Sequence, residues 1–290
     1  MSSIINEEMA KILACPSCKS SLIKTEQGLS CGKCKKSYFY KKGVPIFIKE
    51  VVADEESAEE SLRTKFKKSP RLLSLIRTLK RAFGPPETIY RGNEKEIVEE
   101  LFKKSNLALN IGSSSMKSYP NSINLDIGLF DNVDVVAEGK SLPFKNDSFS
   151  LVLIESVLEH VDEPEKIIEE SYRVLKKSGR VYISIPFVYV FHGSPNDFGR
   201  YTINGLKRRL ELAGFKIEDS GIISGPSSTL NQMLRYYASI LLSFNNDFLF
   251  SMWLNIFGWI TFPIKYLDKF LNSHKKALLM PSIIYAVGKK

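Results

Sequence analysis

Short apolar runs alternate with amphipathic segments of helical period between about residues 105 and 223. The apolar runs predict strands at 107–111, 122–126, 133–137, 149–155, 180–185 and 215–220. Two segments between them predict helices at 164–177 and 203–213, each with proline near its start or glycine just past its end. This alternation predicts an α/β fold with a parallel sheet covered on both faces, whose binding crevice lies at the carboxyl ends of the strands.

The region after residue 223 has a different pattern. Residues 224–276 are rich in large apolar and aromatic side chains, and lysines follow the most apolar stretch. The final segment, 277–290, again has the pattern of a strand and predicts the last strand of the sheet. A hydrophobic hairpin lying in a membrane interface is one interpretation of the insert. A helical cap buried on the protein, or a dimer interface, is the alternative.

All four cysteines of the chain lie within its first 34 residues, in the sequences CPSC and CGKC. Two such turns direct four thiolates at one point, which predicts a tetrahedral, closed and therefore structural zinc site. The predicted ligands are Cys15, Cys18, Cys31 and Cys34. Two disulfides or free thiols are the alternative. The acidic start of the chain is unlike a secretory signal, which favours a reducing, cytoplasmic location.

Residues 51–90 form a charged segment between the zinc ribbon, 1–50, and the α/β core, 91–223. An acidic stretch comes first, and a basic amphipathic helix is predicted at 62–83. With a net charge of +9, such a helix suits RNA or an anionic membrane surface. It also suits a plain connecting helix that packs its apolar stripe on the next domain.

Five short motifs occur in the core in a fixed order: LNIG, NLD, LPF, LEHV and RVLK. In this order they resemble the class I S-adenosylmethionine-dependent methyltransferases of the type 11 group. The resemblance implies a Rossmann-like, seven-stranded methyltransferase sheet, and S-adenosylmethionine as the cofactor. Residues 12–48 resemble the small zinc ribbons that serve as partners of tRNA methyltransferases or are fused to other methyltransferases.

The resemblance also implies which residues hold the cofactor. Asp126 would accept hydrogen bonds from the ribose hydroxyls, and Glu138 would lie near the adenine amino group. The glycine loop departs from the family pattern, because Ser114 replaces its second glycine and Asn110 replaces its acid. The predicted cofactor-binding residues are Asn110, Gly112, Ser113, Ser114, Asp126, Glu138, Gly139, Glu155 and Ser156.

The loop after the fifth core strand, with the sequence PFVYVFHGSPNDFGRYT, overhangs the pocket in this fold. Histidine or aspartate can take a proton there, and arginine can bind a carboxylate or phosphate. The predicted catalytic residues are His160, His192, Asp197 and Arg200. The alternatives are a packing role for His160, and an Asp197–Arg200 pair that only locks the loop and leaves His192 to act.

These observations lead to three functional hypotheses. The first is a methyltransferase acting on a sugar or lipid-linked glycan, peripheral to the inner face of the cell membrane through residues 224–276. The second is an RNA methyltransferase, which the ribbon and the basic helix favour. The third is an inactive, methyltransferase-like binding protein, because the glycine loop is degenerate.

Overall fold

The structure is a computed structural model that describes residues 9–26, 28–51, 87–114, 119, 121–192 and 196–290. The predicted basic helix at 62–83 lies outside these residues. Four short antiparallel strands build the N-terminal ribbon. They are β1 (Leu22–Thr25), β2 (Gly28–Cys31), β3 (Ser37–Lys41) and β4 (Val44–Ile46).

Seven strands form the core, in the order β7-β6-β5-β8-β9-β11-β10. Neighbouring strands from β7 to β9 are parallel, and β11 is antiparallel to both β9 and β10. A sheet in this order brings the carboxyl ends of β5, β6 and β8 to one edge. The strands are β5 (Ala108–Ile111), β6 (Ser122–Asp126), β7 (Val135–Val136), β8 (Phe149–Glu155), β9 (Leu175–Pro186), β10 (Lys216–Ser224) and β11 (Ile283–Lys289).

The ribbon does not stand apart from the core. Its strand β4 pairs in parallel with β7 through Ile46 and Val136, and Phe47 N donates to Val136 O at 2.8 Å. The two sheets therefore merge into one sheet of 11 strands. The α/β methyltransferase-like fold is confirmed, but seven strands describe only its core, and the sheet as a whole is larger.

A helical segment covers residues 9–12, and six α-helices lie among the described residues that follow residue 87. They are α1 (Glu94–Lys103), α2 (Pro164–Val174), α3 (Ile203–Leu212), α4 (Pro226–Ser243), α5 (Asp247–Thr261) and α6 (Asp268–Leu271). Helix α2 ends earlier than the predicted 177, because β9 already begins at Leu175, where the chain pairs with Phe149 of β8.

Apolar side chains fill the interior of the core. Strand β8 has the sequence FSLVLIE, and all of it except Ser150 is buried, as expected for a central strand covered on both faces. Its pattern was therefore a sound predictor of its place in the sheet.

The helical region after β10 has the opposite polarity. We call residues 226–276, which include α4, α5 and α6, the hairpin. Apart from Gly258, every buried residue of the hairpin is polar or charged. Among the described residues, 18 of the 24 exposed large hydrophobics lie between Leu230 and Met280. Within the hairpin, the segment Asp247–Leu271 is 25 residues long and apolar enough to cross a membrane by length and composition.

Candidate active site

The four cysteines of the ribbon come together at one point. Cys15 Sγ lies 3.5 Å from Cys34 Sγ, and Cys18 Sγ lies 3.4 Å from Cys31 Sγ. All four sulfurs lie within 4.8 Å of one another, and none of them forms a disulfide. Zinc bonds of about 2.3 Å to four thiolates give sulfur separations close to these. The donor set therefore fits a structural zinc ion.

The loop after β5 is held tightly against the neighbouring strands. Gly112 has a φ of 71°, and a Cβ there would lie 2.3 Å from Val157 Cγ2. Only glycine fits this position without strain or collision. Ser113 is fully buried, and its Oγ has no hydrogen-bond partner among the described residues. A buried hydroxyl of this kind is suited to receive a polar group of a ligand.

Asp126, at the end of β6, holds this loop in place. Its Oδ2 accepts from Ser114 N at 2.9 Å, and its Oδ1 accepts from Gly128 N at 2.9 Å. A carboxylate accepts about four hydrogen bonds, so capacity remains for two ribose hydroxyls. Asn110 lies deeper and donates through Nδ2 to Asn124 Oδ1 at 3.3 Å, which ties β5 to β6.

The remaining predicted cofactor residues follow β7 and β8 at the same edge. Glu138 is exposed and begins the turn Gly139–Ser141. Gly139 lies close to Ile111 and Ile167, since a Cβ there would be 3.1–3.2 Å from their methyl carbons. Ser156 follows β8 with a φ of 53°. The sheet thus brings all nine predicted cofactor residues to the ends of β5–β8 or, for Asn110, just below them.

A cleft of about 530 Å³ opens beside this edge, under helix α1. Glu155 is buried there, and its Oε1 accepts from Tyr119 OH at 2.8 Å. Arg91 NH1 donates to Glu94 Oε2 at 2.7 Å, and Tyr119 stacks on Phe102. The sequence did not single out Arg91, Glu94 or Tyr119. They come from the start of α1, from the residues before it and from the connection between β5 and β6, which meet beside Glu155 only in the folded protein.

A second group of polar side chains surrounds the turn Leu158–His160 that follows β8. His192 Nε2 lies 3.8 Å from Glu159 Oε1, and His160 Nε2 lies 3.9 Å from the same oxygen. The two imidazole rings meet edge to face at 4.8 Å. Burial raises the pKa of Glu159 to about 7. Burial and then the neighbouring His160 lower the pKa of His192, so its ring is neutral near pH 7.

The loop that carries His192 is fixed by an ion pair. Arg200 binds the carboxylate of Asp197 through both terminal nitrogens, and the Asp197 side chain is 3% exposed. Asp197 Oδ2 also accepts from His192 N at 3.0 Å. The hydrogen bonds from Arg200 hold the pKa of Asp197 far below its ordinary range. Asp197 and Arg200 therefore face each other, while the His192 ring faces Glu159.

Comparison with known families gives two matches. Residues 115–183 match the type 11 family described as a methyltransferase domain. Residues 6–43 match the family described as Trm112p-like protein. The two matches lie in the core and in the ribbon, where the residue motifs had indicated the same resemblances.

Individual relatives match parts of the chain. An uncharacterized protein of Methanocaldococcus jannaschii is 30% identical over 115 residues, 36% of this chain and 55% of that protein. The ubiquinone/menaquinone biosynthesis C-methyltransferase UbiE of Rickettsia prowazekii is 33% identical over 79 residues, 27% of this chain and 32% of the enzyme. The matched part thus spans about half of the first relative and about a third of the second.

Solved structures resemble the chain more loosely. A SAM-dependent methyltransferase from Archaeoglobus fulgidus aligns with a TM-score of 0.43 and 18% identity, covering 80% of this chain and 99% of that one. The complex between the Haloferax volcanii Trm112 methyltransferase activator and a putative methyltransferase aligns with a TM-score of 0.41 and 16% identity, covering 66% and 87%.

The family matches and the strand order agree with each other. The core has the motifs and the mixed sheet of the methyltransferase fold, which S-adenosylmethionine fits as cofactor. The ribbon has the four clustered cysteines that suit zinc. Residues 115–183 therefore match a methyltransferase-domain family, and residues 6–43, which come before them in the chain, match the Trm112p-like family.

Proposed function

We propose that the protein transfers a methyl group from S-adenosylmethionine to an acceptor bound beside Glu159, His160 and His192. The observation that carries this proposal is the convergence of Gly112, Asp126 and the end of β8 at one sheet edge. The sulfonium of the cofactor is already a strong electrophile. The protein has to align the acceptor with it and remove the acceptor's proton.

The cleft under α1 supports a place for the amino-acid end of the cofactor. That end is a zwitterion, with one ammonium and one carboxylate. The cleft offers both signs of charge, since Glu155 and the guanidinium of Arg91 line it. In the proposed pose, Glu155 accepts from the ammonium, Arg91 binds the carboxylate and Asp126 binds the ribose.

Near the acceptor, His192 is the proposed proton acceptor. Its ring is neutral near pH 7 because burial lowers its pKa, and a neutral imidazole can take a proton. Asp197 and Arg200 bind each other and the His192 backbone. We therefore assign them to positioning the loop, and assign the chemistry to the two histidines.

Cofactor binding is tested by calorimetry with S-adenosylmethionine. Asp126→Ala is expected to bind roughly 10- to 150-fold more weakly, since hydrogen bonds to a charged group contribute about 1.5–3 kcal/mol. Asp131→Ala removes an exposed carboxylate from the next loop and serves as the matched control. Equal affinity of Asp126→Ala and wild type contradicts the ribose assignment. Wild-type protein that binds no cofactor supports the inactive binding protein.

RNA is the acceptor class that the comparisons support better than a sugar or lipid-linked glycan. The Trm112p-like match falls on the ribbon, whose resemblance had suggested RNA. Residues 9–51 contain nine lysines and two glutamates, and Phe39 and Tyr40 are exposed beside them. Basic side chains that bind phosphates, with aromatic rings that stack on bases, suit a single-stranded RNA.

The RNA proposal predicts a measurable salt dependence. Lys24 and Lys33 are exposed on the ribbon. Replacing both with glutamate should weaken RNA binding and reduce the slope of log affinity against log salt by about 2, roughly one per phosphate contact. Lys216→Glu changes the same charge on β10, at the other edge of the sheet, and should leave the slope unchanged. An unchanged slope in the ribbon variant contradicts RNA binding by this surface.

A membrane-held acceptor, such as a lipid-linked glycan, is the second candidate, and the hairpin alone favours it. The family matches do not support membrane association. The hairpin, however, buries polar side chains and exposes apolar ones, including Phe248 at 76% and Phe270 at 72%. Exposed apolar area of this extent indicates an apolar surrounding. Lys269, Lys275 and Lys276 are exposed next to it and suit anionic head groups.

Vesicle co-sedimentation separates the two acceptor classes. Trp259→Glu with Phe270→Glu should weaken partitioning onto anionic vesicles at least roughly 100-fold, because each large aromatic contributes about 1.5–3 kcal/mol on burial. Phe39→Glu alters an exposed aromatic of the ribbon and serves as the control. Counting methyl label in the RNA and in the lipid extract of cells that lack the protein then identifies the acceptor. Wild-type protein that stays off the vesicles excludes the membrane candidate.

A further inference from the structure

We propose that Glu159, His160 and His192 form a binding site for a divalent transition-metal ion, separate from the four cysteines of the ribbon. The carboxylate of Glu159 and one ring nitrogen from each histidine lie within 4.8 Å of one another. Two imidazoles and one carboxylate are a common donor set for zinc, manganese and iron, and three protein ligands leave positions open for a further ligand.

The burial of Glu159 points to a ligand at this position. Its side chain is fully buried, and neither carboxylate oxygen has a hydrogen-bond partner among the described residues. Leaving such a group unpaired costs several kcal/mol in either protonation state, because burial removes its water and nothing replaces it. A cation between Glu159 and the two histidines supplies the missing partner.

The outer nitrogens of both histidines are already engaged. His160 Nδ1 lies within hydrogen-bond distance of Asn196 O, which makes Nδ1 the protonated nitrogen and leaves Nε2 to bind as an acceptor. His192 Nδ1 lies 3.5 Å from Asp197 Oδ2 and 3.4 Å from Arg200 Nη2. In both rings Nε2 faces Glu159. A carbonyl behind a ligating histidine, as at His160, is the usual arrangement at metal sites, where it fixes the tautomer. His192 Nε2 can bind the ion when its Nδ1 carries the proton and donates to Asp197.

The loop and the turn are also tied together, which keeps the three donors in place. Phe198 N donates to Glu159 O at 2.7 Å, and the Asp197–Arg200 pair holds the loop on the other side. Bonds of about 2.1 Å require the three donor atoms, now within 4.8 Å of one another, to approach by up to roughly 1.5 Å. His192 is about one-third exposed, so its side chain has room to make this movement.

The position of this site deepens the proposed function, on which its role rests. The ion would lie beside the end of β8, next to the proposed acceptor. With the ion on His192 Nε2, that nitrogen holds the ion and no longer takes the acceptor's proton. An oxygen or nitrogen of the acceptor at an open position on the ion would have its pKa lowered and would lose its proton to water. Without the ion, His192 is the proton acceptor. The existence of the site does not depend on methyl transfer, and its test needs no acceptor.

Manganese provides the probe, because Mn²⁺ prefers nitrogen and oxygen ligands and leaves the soft thiolates of the ribbon to zinc. Zinc-loaded protein is titrated with Mn²⁺, and the loss of the free-ion signal is followed by electron paramagnetic resonance. We expect one bound Mn²⁺ per wild-type chain. His192→Ala and His160→Gln should each weaken Mn²⁺ binding at least roughly tenfold. Removing only the hydrogen-bond partner of a metal ligand already weakens metal binding by about that factor.

His274→Ala is the matched control, since His274 is the third histidine of the chain and is exposed in the hairpin. It should bind Mn²⁺ as wild type does. Glu159→Gln keeps the shape of the buried side chain and should no longer bind Mn²⁺. A cooperative unfolding midpoint measured on the same variant shows that it is folded. The proposal is overturned if wild type binds no Mn²⁺, or if His192→Ala and His160→Gln bind it as tightly as wild type. Cofactor calorimetry on the same samples reports the proposed function independently.

Discussion

The sheet buries mainly apolar side chains, whereas the hairpin buries mainly polar ones. In the sheet, Leu153 and Ile183 are fully buried, and polar side chains lie mainly at the strand ends. In the hairpin, Asp268, Gln232 and Ser239 are buried, and long apolar side chains point outward. The buried side chains of the two regions make different interactions. The sheet uses apolar contacts, and the hairpin uses hydrogen bonds.

Hydrogen bonds therefore attach the hairpin to the segment before α1 and to the residue that precedes β11. Asn231 Nδ2 donates to Thr88 O at 2.7 Å, and Gln232 Nε2 donates to Ser282 Oγ at 3.2 Å. Lys265 Nζ donates to Glu87 O at 2.5 Å. The polar face of the two helices packs against the rest of the protein, so their apolar face is the one that is exposed. The types of residue that a segment buries and exposes therefore indicate both what it packs against and what surrounds it.

The largest effect is expected at Asp268, the most deeply buried acid of the hairpin. Its carboxylate accepts from Gly225 N at 3.1 Å, Ser227 N at 2.8 Å and Ser228 N at 2.9 Å. Asp268→Ala leaves three buried N–H groups unpaired at the start of α4, so the free energy of unfolding should fall by about 3–6 kcal/mol. Denaturant unfolding in mild detergent measures it.

Asp247→Ala is the control for this substitution, because Asp247 is an exposed aspartate at the start of α5. A charge at a helix start contributes about 0.3–1 kcal/mol, so the control should lose little. Equal losses in the two variants would mean that polar contacts do not hold the hairpin, and the contrast with the sheet would disappear.

A pair of isoleucines tests the comparison directly. Ile183 of β9 is fully buried, whereas Ile240 of α4 is 63% exposed. Ile183→Ala should lower the free energy of unfolding by about 2–5 kcal/mol through lost contacts and a cavity. Ile240→Ala should change it by less than about 0.5 kcal/mol, since alanine is also the better helix former. If Ile240→Ala lowers the free energy of unfolding in detergent-free solution as much as Ile183→Ala does, another copy of the chain covers this face of α4.

Much of the core could be predicted from sequence, and the reason is periodicity. Strands 122–126 and 149–155 were predicted with the bounds that the structure has, because buried strands and their flanking turns leave local signals. The pairing of β4 with β7 left no such signal. It joins Ile46 and Val136, which lie far apart in the chain, and a pairing of this kind depends on how the two domains meet.

The candidate site shows the same limit. Motif position predicted Asp126 and His160, and the polar loop after the fifth core strand predicted His192. Glu159, beside His160 in the same motif, was missed, because an acid in a turn is ordinarily exposed. Its complete burial arises from the loop that folds over it. Arg91 was missed for a related reason, since Glu155, which lines the same cleft, belongs to a strand far along the chain that meets this segment only in the folded protein.

The smallest of the three effects is expected at Glu170, where a charged contact joins the ribbon to the core. Its carboxylate accepts from Lys19 Nζ at 2.7 Å and from Arg173 Nε at 2.6 Å. Burial opposes its ionisation, but the hydrogen bonds from Arg173 and Lys19 outweigh burial and lower the pKa of Glu170. This contribution to stability is therefore present above the unfolded pKa of about 4.3 and is lost as the pH falls through the folded pKa.

Glu170→Gln should lower the free energy of unfolding by about 1.5–3 kcal/mol at pH 7, and this loss should become smaller as the pH is lowered. Urea unfolding at pH 7, 5, 4 and 3 measures this, with exposed Glu169→Gln as the control. A cost that stays constant down to pH 3 would show that the charge of Glu170 does not hold the ribbon on the core.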